Sequence, residues 1–274
     1  MHGKRIKGAW NKFLFCWNIS ANISSFFILT LNTKRYKWSK RKLQSNLKIN
    51  DKPVKYFLRF GNKNRIVFLR TYVGDLDIFY EIFFKKAYEF PFIDHPQMIM
   101  DIGANIGLAT IYFLNRFPDA KVISIEPDPA NIDVFKKNLS PQVNKQKVFI
   151  TEAALNNKDG FMFISKPPLK YNPKILQDQQ SDEEKIEVNV VSMNTLLKQY
   201  SVDRIDILKM DIEGSEEQLF NADTTWIRIV MEIIMEVHSS TGYDVCNKVL
   251  LDNNFKMKGS CNESFPQTLH WVKI

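Results

Sequence analysis

Cysteine is scarce in this chain of 274 residues, and this scarcity narrows the class of protein. The three cysteines, Cys16, Cys246 and Cys261, are odd in number and far apart. Their spacing therefore supports neither a disulfide framework nor a zinc ribbon. A reducing compartment is the simplest assumption, and we expect a cytoplasmic protein. The hydrophobic fraction of 45% and the charged fraction of 25% are typical of a globular chain with one large core.

Acidic residues are absent from the first 50 positions, although this segment contains eleven lysines and arginines. The remaining residues include 27 basic and 30 acidic side chains and are slightly negative, so the formal charge of +8 originates in residues 1–50. A block of one charge sign is typical of a segment that contacts an oppositely charged surface. We therefore treat residues 1–50 as a separate basic segment.

The chain also lacks a long uninterrupted apolar run. Residues 13–31 are apolar at 13 of 19 positions, but asparagine and serine interrupt them. A spanning helix needs about 20 predominantly apolar residues, and no small-residue cleavage site is evident. Three alternatives stay open: a spanning or uncleaved signal segment, a peripheral contact with an anionic membrane, and a helix packed on the domain. Because every motif below follows residue 50, we expect the core to fold without this segment.

Glycine is infrequent, but two of the ten glycines lie in the most informative stretch of the chain. Residues 98–102 are a short apolar run that predicts a buried parallel strand, and the pattern after residue 107 predicts a packed helix. Gly103 and Gly107 lie in the intervening turn, where a side chain would obstruct close backbone approach. Asp101 ends the strand and would face the crevice in which open α/β sheets bind ligands.

The glycine spacing discriminates between two cofactors. A dinucleotide site requires Gly-x-Gly-x-x-Gly, whereas three residues separate Gly103 from Gly107. S-adenosylmethionine has no phosphate, and an acid at position 101 suits its cationic methionine portion. Glu126 ends a second predicted strand and is positioned to accept ribose hydroxyls. The pattern favours S-adenosylmethionine; a nicotinamide-dependent oxidoreductase and a non-catalytic binding module stay as alternatives.

Several motifs, in this order, resemble those of the FkbM-like methyltransferases. They are Asp101-Ile-Gly-Ala-Asn-Ile-Gly107, Glu126-Pro-Asp-Pro129, Ala153-Ala-Leu155 with Asp159-Gly160, Lys209-Met-Asp-Ile-Glu-Gly-Ser-Glu216 and Glu236-Val-His238. The resemblance covers about residues 54 to 274, because Arg70 and Asp75 look like the family's lead-in. Val73-Gly74 replaces a Thr-Ser pair that is usual before that aspartate, so we assign no substrate role to this loop.

The resemblance implies an α/β, Rossmann-like class I methyltransferase fold, with a mostly parallel doubly wound sheet, an antiparallel C-terminal hairpin and an N-terminal helical and hairpin extension. It implies methyl transfer from S-adenosylmethionine to a hydroxyl of a sugar, glycolipid or other secondary metabolite. We expect a small-molecule or glycan acceptor and no nucleic-acid partner. The cofactor contacts that it implies are Asp101, Gly103, Asn105, Gly107, Glu126, Pro127, Ala153 and Asp211.

The alternation of patterns predicts three parts: the basic segment 1–50, a lead-in hairpin and helix in 51–96, and the methyltransferase domain 97–274. Residues 167–185, with three prolines, are predicted to form a loop or flap over the pocket. The predicted strands are 54–60, 65–70, 98–102, 121–126, 147–152, 205–211 and 227–237, with a closing hairpin of 255–258 and 268–274. The predicted helices are 76–88, 106–117, 129–139, 192–200, 215–221 and 242–253.

Charged residues gather where the last two parallel strands end. Lys209, Asp211 and Glu213 alternate along the chain, as do Glu236 and His238, so each set shares a face and can converge. The alternative is that they cap helices and pair with one another. Histidine titrates near neutrality, so His238 is the preferred catalytic base, with Asp211, Glu236 and Lys209 as further catalytic candidates.

A divalent cation is the rival to a histidine base. Asp211, Glu236 and His238 offer two carboxylates and an imidazole, which suit an ion that would orient the hydroxyl and lower its pKa. We favour the metal-free base and assign no metal site.

Overall fold

The computed structural model describes residues 2–42, 51–165, 185–212, 214–262 and 264–274. The helices are α1 (His2–Ile19), α2 (Ile23–Lys42), α3 (Asp75–Phe83), α4 (Leu108–Arg116), α5 (Pro129–Asn144), α6 (Met193–Tyr200), α7 (Glu216–Phe220) and α8 (Ser240–Asp252). The strands are β1 (Val54–Phe60), β2 (Lys63–Leu69), β3 (Met98–Ile102), β4 (Lys121–Ile125), β5 (Val148–Thr151), β6 (Ala154–Leu155), β7 (Gly160–Ser165), β8 (Lys185–Val191), β9 (Ile205–Met210), β10 (Val230–Val237), β11 (Phe255–Ser260) and β12 (Gln267–Lys273).

Seven strands form the central sheet, in the order β11-β12-β10-β9-β3-β4-β5. The strands from β10 to β5 are parallel, whereas β12 pairs antiparallel with both β10 and β11. The predicted mostly parallel sheet with an antiparallel closing hairpin is confirmed. The strand order reverses at β3, which has β4 on one side and β9 on the other. Its carboxyl end is therefore the position at which open α/β sheets bind ligands.

Helices cover both faces of this sheet, which explains the apolar strand sequences. Ile99 and Ile207 belong to a core that includes buried residues of α3, α4 and α5. The next residues along the same strands, Met100 and Leu208, belong to a second core that includes residues of α6, α7 and α8. Because neighbouring strand residues point to opposite faces, each strand contributes to both cores.

The N-terminal helices pack on the domain through one face of each helix. Phe26 and Leu29 are buried in the same core as the β1–β2 hairpin and α3. The Tyr80 hydroxyl of α3 lies 3.2 Å from Cys16 Sγ and 2.6 Å from Thr33 Oγ1. Packing on the domain, one of the three sequence alternatives, therefore holds for this face.

Residues 13–31 form parts of two helices and not one. Helix α1 ends at Ile19 and α2 begins at Ile23, so the polar residues near position 20 lie where the chain turns. Among the helices that the structure describes, none combines the length and the hydropathy needed to cross a membrane.

Several predicted element boundaries were wrong. The lead-in helix ends at Phe83, not at residue 88, because Lys86 has a φ of 62° and cannot continue a right-handed helix. Strand β10 begins at Val230, because residues 225–229 form a 3-10 helix whose buried apolar residues mimic a strand. A three-stranded sheet in the order β6-β8-β7 was not predicted. Residues 167–184 of the predicted flap lie outside the described residues, whereas its last residue, Lys185, begins β8.

Candidate active site

The two glycines of the β3–α4 turn are required for different reasons. Gly103 has a φ of 73°, and a Cβ atom there would overlap the backbone carbonyl of Asp211 at the end of β9. Gly107 has a φ of 85°, and its Cβ would lie 2.6 Å from Leu139 Cδ1 and 2.8 Å from Phe135 Cδ2. Gly103 thus permits the ends of β3 and β9 to meet, whereas Gly107 permits α4 to pack on α5.

A buried ion pair fixes the same junction. Asp101 and Lys209 are direct neighbours in the β3–β9 register, and Lys209 Nζ lies 3.2 Å from Asp101 Oδ1. The ammonium also donates to the carbonyls of Ile102 (3.2 Å) and Gly103 (2.8 Å). Burial acts to lower the pKa of Lys209, but the carboxylates of Asp101, Asp211 and Glu236 outweigh it and raise that pKa. Lys209 is therefore a fixed positive charge and not a base.

A cavity of about 1160 Å³, including its open mouth, lies at the carboxyl ends of β3, β4, β9 and β10. Most of the site residues that were predicted from the sequence line this cavity: Gly103, Asn105, Glu126, Pro127, Ala153, Lys209, Asp211 and Glu236. Asp101, Gly107 and His238 are not among its lining residues. Asp101 is fully buried and accepts a hydrogen bond from Thr110 Oγ1 (2.6 Å), so it supports the cavity floor through Lys209.

One wall of the cavity comes from α3 and the segment after it, which sequence reasoning did not assign to the site. Ile78, Glu81 and Ile82 line the cavity from α3, followed by Ala87 and Tyr88. The i, i+3, i+4 spacing of the three α3 residues is a helical-face signal that was available in the sequence. Burial, and then the charges of Asp211 and Glu236, raise the pKa of the Tyr88 phenol well above its ordinary value.

Glu126 presents a carboxylate at the cavity wall with 4% of its surface exposed. Its Oε2 accepts from the Asn105 backbone N–H at 2.8 Å, and its Oε1 accepts from Asn131 Nδ2 at 2.9 Å and the Asp128 N–H at 3.0 Å. Burial raises the pKa of Glu126 to about 7, although these donors favour the charged form. The ionised group keeps lone pairs for a ligand's hydroxyl groups.

His238 follows β10 and is oriented by the carboxylate of Glu216, a residue to which the sequence had assigned no role. Its Nδ1 lies 3.1 Å from Glu216 Oε1, and its Nε2 lies 3.7 Å from Glu236 Oε1. Glu216 begins α7, is 2% exposed and also accepts from the Gly214 N–H at 3.1 Å. Its distance in sequence from His238 explains why only the fold reveals the contact. In the tautomer that donates from Nδ1 to Glu216, the Nε2 lone pair would lie on the side of Glu236.

Asp211, Glu236 and His238 converge as the sequence predicted. One ligand atom from each lies within 4.8 Å of the others, a spacing that a single divalent cation can bridge. The other reading of these charged residues was that they pair with neighbouring charged groups. Such pairs are also present, between Lys209 and Asp101 and between His238 and Glu216. Glu213, the remaining member of the predicted set, lies outside the described residues.

A family model described as the methyltransferase FkbM domain matches residues 101–273. The chain belongs to this family. The matched range begins at Asp101 and includes the glycine turn, Glu126 and the ends of β9 and β10. This family assignment identifies the chain as a methyltransferase and not as the nicotinamide-dependent oxidoreductase that the sequence had left open.

Curated relatives agree with the family assignment. Methyltransferase sdnD of Sordaria araneosa is 26% identical over 206 residues, which are 64% of this chain and 80% of that protein. Methyltransferase 1 of Beauveria bassiana is 23% identical over 194 residues, covering 63% of this chain and 77% of the relative. The hexuronic acid methyltransferase AglP of Haloferax volcanii is 22% identical over 157 residues, covering 57% and 62%.

The fold of the FkbM methyltransferase is also that of a solved family structure. The crystal structure of methyltransferase FkbM from Methylobacillus flagellatus superposes with a TM-score of 0.51 at 17% identity. The match covers 73% of this chain, which spans about half, 52%, of that protein. This likeness establishes the shared Rossmann-like methyltransferase fold.

Proposed function

We propose that this FkbM methyltransferase transfers a methyl group from S-adenosylmethionine to a hydroxyl of a small-molecule or glycan acceptor. The observation that carries the proposal is the composition of one cavity. Glu126 lines it from the end of β4, while Asp211 and Glu236 line it from the ends of β9 and β10, beside His238. A ribose-binding acid and a group able to remove a proton are thus within reach of the same space.

The cavity suits S-adenosylmethionine in both shape and chemistry. Gly103 leaves no side chain where the ends of β3 and β9 meet, and Glu126 can accept from both ribose hydroxyls. Ile125, Ala153 and Leu155 line an apolar part of the wall against which a flat purine can pack. Asp211 and Glu236 supply negative charge for the cationic portion of the cofactor.

The protein's catalytic task is positioning and proton removal. S-adenosylmethionine, when bound, supplies a methyl group already activated on a sulfonium. We assign to His238 Nε2 the removal of the acceptor hydroxyl proton, and to Glu216 the orientation of the imidazole through Nδ1. Lys209 stays protonated and holds the Gly103 turn against β9, so it positions the site without exchanging a proton.

A sugar-like acceptor is our preferred class. Its support is the name of a relative, the hexuronic acid methyltransferase AglP, together with the polar groups at the strand ends. The test is a screen with methyl-labelled S-adenosylmethionine against hexuronic acids, neutral glycans, glycolipids and apolar alcohols. The proposal predicts label in an alkali-stable methyl ether of a sugar. Label in an amine, a carboxyl ester or RNA would contradict it.

A further inference from the structure

The N-terminal helices expose large apolar side chains on the faces that point away from the domain. Trp10, Phe13, Leu14 and Trp17 recur at helical spacing on α1, and Ile23, Phe27, Leu31 and Trp38 do so on α2. Ile23, Phe27 and Trp38 are 65%, 62% and 62% exposed. We call these eight residues the aromatic face.

Ring contacts connect four residues of the aromatic face across the two helices. Trp10 stacks on Phe13 with centroids 5.6 Å apart. Buried Phe26 contacts Phe13 at 5.2 Å, Trp17 at 5.1 Å and Phe27 at 5.2 Å, which joins the two helices. Monomeric soluble proteins rarely expose apolar patches that combine so many large side chains, and such patches mark interaction sites.

The opposite faces of both helices are fixed to the protein, α1 through the 3.2 Å contact between Cys16 and Tyr80 and α2 through several polar contacts. Asn32 Nδ2 donates to the Tyr56 hydroxyl at 2.8 Å, and the Tyr36 hydroxyl donates to Asp77 Oδ2 at 2.8 Å. Thr33 contacts Tyr80 of α3, the helix whose other residues line the methyltransferase cavity. The aromatic face is therefore the outer side of a docked helix pair.

Positive charge borders the aromatic face on α2 and β1. Lys34, Arg35 and Lys37 are exposed on α2 next to Trp38. Arg59 of β1 lines a groove together with Trp17 and Ile23. Residues 1–50 contain eleven lysines and arginines and not one acid, so no negative side chain of this segment offsets the charge.

We propose that the aromatic face and its basic border are a docking surface for an anionic lipid bilayer. Tryptophan and phenylalanine partition to the membrane interface, and the neighbouring lysines and arginines attract anionic headgroups. Charge complementarity selects the anionic bilayer among possible partners. Docking on this surface would bind the protein to the membrane through the helices that pack on α3. The proposal does not rest on the proposed acceptor.

Vesicle flotation of the full-length protein tests this surface. The double variant Phe27→Ser/Trp38→Ser removes two exposed aromatic residues, and Lys34→Glu/Lys37→Glu reverses two charges. Phe161→Ser, at a 72% exposed position on β7, and Lys137→Glu/Lys145→Glu, at exposed positions within α5 and directly after it, are the controls. We expect wild type and controls to float with phosphatidylcholine–phosphatidylserine vesicles at low salt and to dissociate as salt increases. Both test variants should bind about tenfold or more weakly.

Three outcomes would overturn the proposal. The first is that wild type does not float at low salt, and the second is that the aromatic variant floats as well as Phe161→Ser. The third is a stable dimer, seen by light scattering, that Phe27→Ser/Trp38→Ser dissociates, because the aromatic face would then be an interface between copies. Calorimetric titration of every variant with S-adenosylmethionine separates this question from the proposed function, and we expect unchanged affinity.

Discussion

Among the single residues of the site, Glu126 accepts hydrogen bonds from Asn105 and Asn131, and His238 is held by Glu216. Glu126, Asp211 and Glu236 were identified because each ends a predicted strand, and all three line one cavity. Asp101 was expected to face the ligand, yet it is buried against Lys209, because the β3–β9 register places the two side by side. The role of Glu216 depends on how α7 lies beside β10, which no local pattern encodes.

The raised pKa of Glu126 predicts a pH-dependent affinity for the cofactor. Ribose hydroxyls donate to the ionised carboxylate, so affinity for S-adenosylmethionine should rise as the pH increases through about 7. Glu126→Gln should bind more weakly and lose this rise. Calorimetric titrations at several pH values measure both effects.

The raised pKa of Glu126 also makes the stability of the protein depend on pH, and stability should fall as the pH rises while cofactor affinity increases. Folding raises this pKa from 4.5 to about 7. The stabilisation that Glu126 contributes to the folded state is therefore fully present below pH 4.5 and is lost as the pH rises through about 7. Relative to Glu126→Gln, the wild-type free energy of unfolding without cofactor should fall across this window. Parallel pH profiles of the two proteins in urea denaturation would contradict the assignment.

Substituting His238 should affect turnover more than cofactor affinity. His238→Ala removes the proposed base and should lower the rate about 10²-fold or more, because general bases contribute about that much. Glu216→Gln keeps the shape but weakens the orientation of the imidazole, and it should show a smaller loss and an altered pH–rate profile. Single-turnover methyl transfer and calorimetry measure the two parameters, with His95→Asn, an exposed histidine before β3, as the control.

Chelation distinguishes catalysis by a metal-free His238 base from catalysis by a bound divalent cation. The proposal predicts that EDTA leaves the rate of the wild type unchanged. Complete loss of activity with EDTA, restored by magnesium or manganese, would instead assign Asp211, Glu236 and His238 to a metal. Unchanged activity of His238→Ala would count against both roles.

At the scale of elements, prediction succeeded where the signal was local. The β3 strand was predicted with its exact bounds, since apolar runs and glycines define it within a few residues. The sheet β6-β8-β7 was missed because β7 and β8 pair across residues 166–184. Moreover, the run Phe161–Ile164 does not alternate between apolar and polar residues. Pairing over such a distance is not recorded in local periodicity.

The glycine turn gives a prediction at this scale. Gly103→Ala should destabilise the protein by about 2 kcal/mol or more, because it combines a strained φ with overlap at Asp211. It should also abolish cofactor binding by separating the ends of β3 and β9.

Gly107→Ala should destabilise the folded protein, because the added Cβ would overlap the side chains of Phe135 and Leu139. Gly8→Ala in α1, with no atom within 4 Å of its Cβ, is the control and should be neutral or slightly stabilising. Equal urea midpoints for Gly103→Ala and Gly8→Ala would contradict this account.

At the scale of the whole molecule, the N-terminal segment is more closely integrated than its composition indicated. We expected the core to fold without residues 1–50, because every motif lies beyond them. The structure argues against this expectation, since Phe26 and Leu29 share a core with Phe79 of α3. The interruption of the apolar residues 13–31 by asparagine and serine was visible in the sequence, but the surface against which the two helices pack was not.

Removal of residues 1–50 should therefore destabilise the methyltransferase domain. The truncation exposes the apolar surface of α3 and the β1–β2 hairpin, and it leaves the buried Tyr56 and Tyr80 hydroxyls without Asn32 and Thr33. We expect a lower unfolding temperature or aggregation, measured by calorimetry and size-exclusion chromatography. A truncated protein with the full-length unfolding temperature would show that the helix pair is dispensable for folding.

We claim that the cavity at the ends of β3, β4 and β9 binds S-adenosylmethionine, and calorimetric titration of the full-length protein is the test of this claim. We expect one site that binds S-adenosylmethionine and its demethylated product, and much weaker binding of NAD. Glu126→Ala should weaken binding of S-adenosylmethionine by about 1–3 kcal/mol, because the ribose hydroxyls lose their acceptor. No binding of S-adenosylmethionine by the wild type, or equal binding of NAD, would contradict the claim.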